Sequence, residues 1–322
     1  MQPNCRAWLG LREWKGGPVT LRPGEGEFVC KGICVVETID KGSAIRYQDY
    51  RFGRARQRFR GPMPDLTQPY IAFIGGSETY GKFVHDPYPA KVAKLLNMPA
   101  ANWGTPGAGP SFFLKDPVLL EACSNAEACV VSVMGAVSMS NRLYTVFKRR
   151  NCRVRSTTES LQALYPTLNL SEFRFAHNML RRMFQKNPEN FRLLEIELRQ
   201  AWVARMRELL DDIETIRVLL WMSTRTPDEG FEPSEKECFV TPPAFVTRDM
   251  LEEIAPMADL VIEYVAADSV GTDTADGRIY DPDVDVLAAT CPGQTMHDQA
   301  AGLIAEPLKK VLASRARYAL AP

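Results

Sequence analysis

A serine hydroxyl attacks a carbonyl only when a neighbouring base takes its proton and hydrogen-bond donors wait for the developing oxyanion. Gly75-Gly76-Ser77-Glu78-Thr79-Tyr80-Gly81 offers such a serine, because it follows directly on the apolar run Tyr70–Ile74. That run reads as a strand buried on both faces, so Ser77 falls in a sharp strand-to-helix turn. The paired glycines permit the turn, and the dipole of the next helix begins at the serine. Asn102-Trp103-Gly104-Thr105-Pro106-Gly107 ends a second short β-like run and offers Gly104 as a backbone N–H donor, with Asn102 beside it. Pro292-Gly293-Gln294-Thr295-Met296-His297 stands ahead of the terminal helix and supplies an imidazole. On this reading Ser77 is the nucleophile, His297 its base and Gly104 an oxyanion donor. Ser138, Asn141 and Arg142 follow the central apolar run Ala128–Gly135 and are candidates for the oxyanion hole or for substrate binding.

Blander roles fit the same residues. Ser77 suits a helix N-cap, although Tyr80 rather than Glu or Gln stands three residues on. Gly104 could serve a turn, and His297 could be a cap or a surface residue. Of the three histidines, His85 reads as surface or substrate-side and His177 as a packed or solvated residue of an amphipathic block.

The elements that must position these groups follow from periodicity. Apolar strand candidates at Tyr70–Ile74, Pro99–Gly104, Ala128–Gly135, Ile216–Met222 and Leu260–Val265 alternate with helical segments, among them Tyr88–Leu96, Thr247–Ile254 and a last one from about His297 to Ser314. That alternation predicts a parallel, helix-covered sheet: an α/β fold, a flavodoxin-like three-layer α/β/α sandwich on a five-stranded parallel sheet. Ligands in such sheets sit beyond the carboxyl ends of the strands. Residues 69–322 form this domain, with a helical insertion at about 142–210. Residues 1–68 read as an N-terminal extension of short β elements, and its arginines (Arg51, Arg54, Arg56, Arg58, Arg60) read as a solvated surface.

Lys plus Arg and Asp plus Glu balance at 39 each, which gives no global field for nucleic acid or a membrane surface. The charges are segregated, with 12 basic against 5 acidic residues over Arg142–Arg199 and 1 against 11 over Asp249–Asp285. No run approaches the roughly 18 apolar residues of a membrane helix, and Met1–Gly17 lacks the apolar core of a signal peptide. A cytoplasmic location is expected. The eight cysteines then read as free thiols. Cys30 and Cys34 have no partner pair at metal-binding spacing, so no structural metal is expected, and the serine chemistry above requires no organic cofactor.

The ordered motifs resemble those of the SGNH (GDSL-like) hydrolases. Ile71–Ser77 is similar to the first motif, Asn102–Gly107 to the second, Val130–Gly135 to the approach to the third, and His297–Ala305 to the last. The resemblance implies a serine-dependent ester hydrolase or O-acyltransferase, with Ser77 and His297 catalytic. The Ser77 N–H, the Gly104 N–H and a third-motif side chain would face the oxyanion. Three positions depart from the pattern: Gly76 replaces an Asp, Ser138 stands where an Asn is usual with Asn141 further on, and Gln294 replaces the Asp before the histidine. The acid could then be Asp281, Asp283 or Asp298, or the pair could act as a dyad. Gly135–Asn151 also looks like an uncharacterised family of alphaproteobacterial proteins with this fold. The expected partner is a small-molecule or glycan ester, an acylated carbohydrate-like or anionic molecule. Two other classes stay open. Gly75–Lys82 has a faint phosphate-loop look, which would suit a sulfotransferase or nucleotide-binding enzyme, although Phe83 follows Lys82. The other is a non-catalytic binding protein on the same fold.

Overall fold

Short apolar runs bounded by turn residues must pair with one another to satisfy their backbones in the interior. A computed structural model describes residues 45–53, 57–148, 150–228, 242–266, 278–279 and 291–319, together with the strand backbones at 27–30 and 33–36. The N-terminal region folds into a small antiparallel sheet of β1 (Glu27–Cys30), β2 (Ile33–Val36), β3 (Tyr50–Arg51) and β4 (Arg58–Phe59), in that order. Of the expected arginine surface, Arg54 and Arg56 lie outside the described residues, and Arg60 is buried at 6% exposure.

The main sheet comprises β5 (Ile71–Ile74), β6 (Ala100–Asn102), β7 (Ala128–Ser132), β10 (Ile216–Ser223) and β11 (Leu260–Val265). Every neighbouring pair is parallel, and the spatial order is β6-β5-β7-β10-β11. By order of appearance this is 2-1-3-4-5, the flavodoxin-like winding. The register sets Ile71 against both Ala100 and Ala128, and Leu220 against Ser132 and Ile262. Every residue of β5 and β7 is buried, as the unbroken apolar runs require. At the edge, β11 alternates, with Ile262 and Tyr264 inward.

Nine α-helices lie among the described residues, the first being α1 (Ser77–Tyr80) after β5. On one face of the sheet Ile71, Phe73, Val130, Val218 and Leu220 pack under α2 (Tyr88–Leu96) and the C-terminal helix α9 (Gln294–Ala319). On the other face Ala72, Ile74, Val131, Leu219 and Trp221 meet α3 (Pro110–Phe113), α4 (Pro117–Ser124), α7 (Pro188–Asp211) and α8 (Arg248–Ile254). Among the described residues no helix is long and apolar enough to cross a membrane.

The block expected as a helical insertion is of two kinds. It opens with an antiparallel hairpin, β8 (Tyr144–Phe147) and β9 (Arg150–Thr157), before α5 (Glu159–Leu164) and α6 (Ala176–Lys186). The cause is local: Tyr144-Thr145-Val146 and Val154-Arg155-Ser156-Thr157 are rich in Val, Thr and Tyr, residues that favour strands, inside a basic stretch. Its last helix, α7, is the crossover that any parallel connection from β7 to β10 demands. Leu194, Leu198, Trp202, Met206 and Leu209 of α7 are buried, at ~1.5–3 kcal/mol for each large apolar side chain. Packing of this size, rather than helix propensity, holds a helix on a sheet.

Candidate active site at the carboxyl end of the sheet

The turn after β5 is fixed before any side-chain chemistry is considered. Gly76 is the N-cap of α1 and no side chain caps the helix, so Ser77 is its first helical residue rather than its cap. A side chain at Gly75 would run into Thr79 and Ser132, and one at Gly104 into the backbone of Thr79 and Tyr80. The second glycine lets the β6 loop touch α1. Asn102 fastens that contact: its Nδ2 donates to Thr79 O at 2.8 Å and its Oδ1 accepts the Gly104 N–H at 3.0 Å. Thr105 N–H donates to Gly75 O at 2.9 Å. The Gly104 N–H, expected at the oxyanion, is therefore engaged within its own loop.

The far end of α1 is held by Arg60. Its guanidinium donates to Tyr80 O at 3.3 Å, to Gly81 O, to Val84 O at 2.8 Å and to His85 O at 2.7 Å. A cation is favoured there because the last carbonyls of a helix carry the negative end of its dipole. Tyr80 adds a hydroxyl bond to Asp49 at 2.9 Å. The N-terminal region is thus part of the scaffold of the Ser77 turn.

Ser77 opens onto a cleft of about 210 Å³. Gly76, Ser77 and Glu78 form one side, and Gly107 and Ala108 a second. The end of β7 adds Val133, Met134 and Gly135, followed by Val137 and Ser138. Cys152 of β9, His177 of α6, Pro242 and Ala244 complete it. Gly107 adopts φ 72°, a conformation that glycine takes without strain. Glu78 folds back so that its Oε1 accepts the Gly76 N–H at 2.7 Å, and burial raises its pKa above the ordinary carboxylate value. Thr79 Oγ1 and Tyr88 OH share a hydrogen bond of 2.9 Å behind it.

Of the residues expected at the site, the structure brings Ser77 and Ser138 together in this cleft. It does not join Ser77 to His297: no hydrogen bond links them among the described residues. His297 lies in the first turn of α9, fully buried, with its ring stacked on Tyr88 at 6.0 Å and 15°. Its neighbour Met296 packs on the α2 side of the sheet, whereas Ala108, Val133, Met134 and Val137 of the cleft belong to the opposite side. His297 Nδ1 accepts the Tyr88 N–H at 3.2 Å, which puts the proton of the neutral ring on Nε2. A ring so protonated cannot take a proton there. Burial, with the charge of Arg60 second, pushes its pKa down to about 3.

The acid candidates nearby are also engaged elsewhere. Asp298 pairs with Lys91 at 2.6 Å, and Gln294 donates through Nε2 to Asp86 O and to Asp298. Asp281 and Asp283 lie outside the described residues. Asn141 Oδ1 accepts the N–H groups of Leu143 and Tyr144 at 2.8 and 3.0 Å, a turn that starts the β8–β9 hairpin. Arg142 donates through Nε to Glu197 Oε2 at 2.6 Å and reaches Gln200, tying that hairpin to α7. These two residues build the scaffold of the cleft without lining it. Cys123 and Cys129 are buried free thiols, while the side chains of Cys30 and Cys34 lie outside the described residues.

From residue 36 to residue 312 the sequence matches the model of a family described as a domain of unknown function, DUF6473. The chain belongs to this family. No curated protein matches this DUF6473 chain. Among solved structures it is similar to a carbohydrate esterase family 2 enzyme with its carbohydrate-binding domain from Corynascus thermopiles (Myceliophthora fergusii). That match has 11% identity and a TM-score of 0.36, over 79% of this chain and 67% of that one. A lipase from goat rumen metagenome matches at 12% identity and a TM-score of 0.37, over 73% and 95%. A family two carbohydrate esterase from Clostridium thermocellum matches at 13% and 0.33, over 82% and 70%. At these values the likeness assigns no activity.

Sequence reasoning passed over His177, Cys152, Glu78, Pro242 and Ala244 of the DUF6473 cleft. For His177 a signal existed. Ala176, Met179, Leu180 and Met183 form the buried stripe of α6, and His177 flanks it, three residues before Leu180. What no pattern gave was the direction in which that flank faces.

Proposed function

We propose that the chain is a serine-dependent ester hydrolase or O-acyltransferase with Ser77 as its nucleophile. One observation carries this reading: Ser77 is the first residue of a helix at the carboxyl end of the central parallel sheet, and it faces a cleft whose other walls are largely apolar. Ser77 Oγ bonds to the ester carbonyl carbon as its proton passes to a base, and the carbonyl electrons move onto oxygen. Collapse of that intermediate expels the alcohol and leaves an acyl-serine, which water or a second alcohol resolves. The Ser77 N–H, one of the unpaired donors of a helix start, is placed for the oxyanion. Gly107 lines the cleft beside it, and its N–H enters none of the backbone hydrogen bonds of the described residues. Val133, Met134, Val137 and Ala244 suit a short acyl chain, and the basic insertion suits an anionic or carbohydrate-like remainder.

Fluorophosphonate labelling tests the reading. The wild type takes one label, located on Ser77 by peptide mass, and Ser77→Ala takes none. A label that survives Ser77→Ala overturns it. A purely binding role draws on the placement of His297 away from the cleft, and it predicts no label at all. The phosphate-loop reading has less support, because Lys82 Nζ stands over the Phe83 ring at 5.0 Å and does not line the cleft.

A further inference from the structure

We propose that His177, carried into the cleft by α6 of the inserted segment, is the proton acceptor for the Ser77 hydroxyl, in place of a histidine from the C-terminal helix. The inference rests on the reading of Ser77 as nucleophile. Three observations carry it. His177 is the histidine that lines the same cleft as Ser77. Its ring is half-buried and tilted against Phe175 at 5.7 Å, and neither nitrogen has a hydrogen-bond partner among the described residues. One nitrogen of the neutral ring is therefore a free acceptor, the capacity that His297 lacks at Nε2.

The alternatives on the cleft are less suited. The Glu78 carboxyl already accepts the Gly76 N–H and faces Thr79. Cys152 is a thiol and would have to ionise first. The state of His177 agrees with its place: burial and then the charge of Arg181 lower its pKa, so the ring is neutral when the serine needs a base. In the reaction the Ser77 O–H proton moves to the free His177 nitrogen as the Oγ–carbon bond forms. The resulting imidazolium returns that proton to the departing alkoxide, and a water proton repeats the cycle in deacylation.

The test compares rates of fluorophosphonate labelling in the full chain for the wild type, Ser77→Ala, His177→Ala, His177→Gln and His297→Gln, with thermal melting of each. His177→Ala and His177→Gln are expected to melt with the wild type and to label at least ~100-fold more slowly. Added imidazole should restore part of the rate to His177→Ala and none to Ser77→Ala. Labelling of both His177 variants within threefold of wild type overturns the proposal and leaves the Ser77 reading intact. So does a loss that imidazole does not restore, or melting that falls in both variants, because His177 would then be a packing residue. A wild type that takes no label ends both.

Discussion

A histidine sealed in a protein core, where the cost of burial outweighs the pull of a nearby carboxylate such as Asp298, is a group that must lose its charge to fold. For His297 the folded pKa is about 3, below the ordinary 6.5. Between those values the unfolded chain binds more protons than the folded one, so stability rises with pH across that window. The contribution is fully present above about pH 6.5 and is lost as pH falls toward 3. Denaturant unfolding should show the wild type losing about 2 kcal/mol more than His297→Gln between about pH 7 and about pH 5. Equal losses would mean that the ring is already hydrated in the native state. The same ring shows what a sequence can and cannot say about single residues. Gly75-Gly76-Ser77 was legible as a serine on a tight turn, since its glycines answer to backbone geometry that local sequence dictates. The protonation of His297 was not legible, because it depends on the Tyr88 N–H, over two hundred positions away. Gly104 was misjudged for a like reason: whether an N–H is free depends on where the Asn102 side chain turns.

At the scale of elements, the strands were readable because continuous apolar runs have one stable destination. The hairpin β8–β9 was not, because its alternation is carried by Thr, Arg and Ser rather than by a clear apolar face. Arg60 was hidden among neighbouring arginines, and only its position at the end of α1 sets it apart. The guanidinium replaces water for carbonyls of Tyr80, Gly81, Val84 and His85. A helix of four residues cannot hold itself together, as nucleation alone costs more than one turn returns. Arg60 therefore positions the Ser77 turn without touching the cleft. Arg60→Met should cost at least ~3 kcal/mol, since charge-assisted bonds contribute about 1.5–3 kcal/mol each and three buried carbonyls and one part-buried carbonyl lose their donor. Ser77 labelling, measured on the folded fraction, should slow at the same time. Full labelling in a destabilised Arg60→Met protein would separate the stability of the turn from the placement of the serine.

At the scale of the molecule, the cleft joins parts of the chain that lie far apart: the strand ends after β5 and β7, the hairpin and α6 of the inserted block, and Pro242–Ala244. The sheet alone leaves Ser77 on an open rim, and the inserted block turns that rim into a walled site. This arrangement makes Cys152 informative. It is a partly exposed cysteine on the cleft wall, its Sγ 3.5 Å from where a Gly107 side chain would begin, while Cys123, Cys129 and Cys291 are buried. A maleimide on Cys152 would occupy a large share of a cleft of about 210 Å³ without altering the serine. Treating the wild type with N-ethylmaleimide should therefore slow fluorophosphonate labelling at least ~10-fold, about 1.4 kcal/mol in the barrier. Cys152→Ser should label normally and be indifferent to the reagent. Peptide mass mapping must show the maleimide on Cys152. If it is there and Ser77 still labels at the full rate, the substrate approaches the serine from another side, and the inserted block does not wall the reactive site.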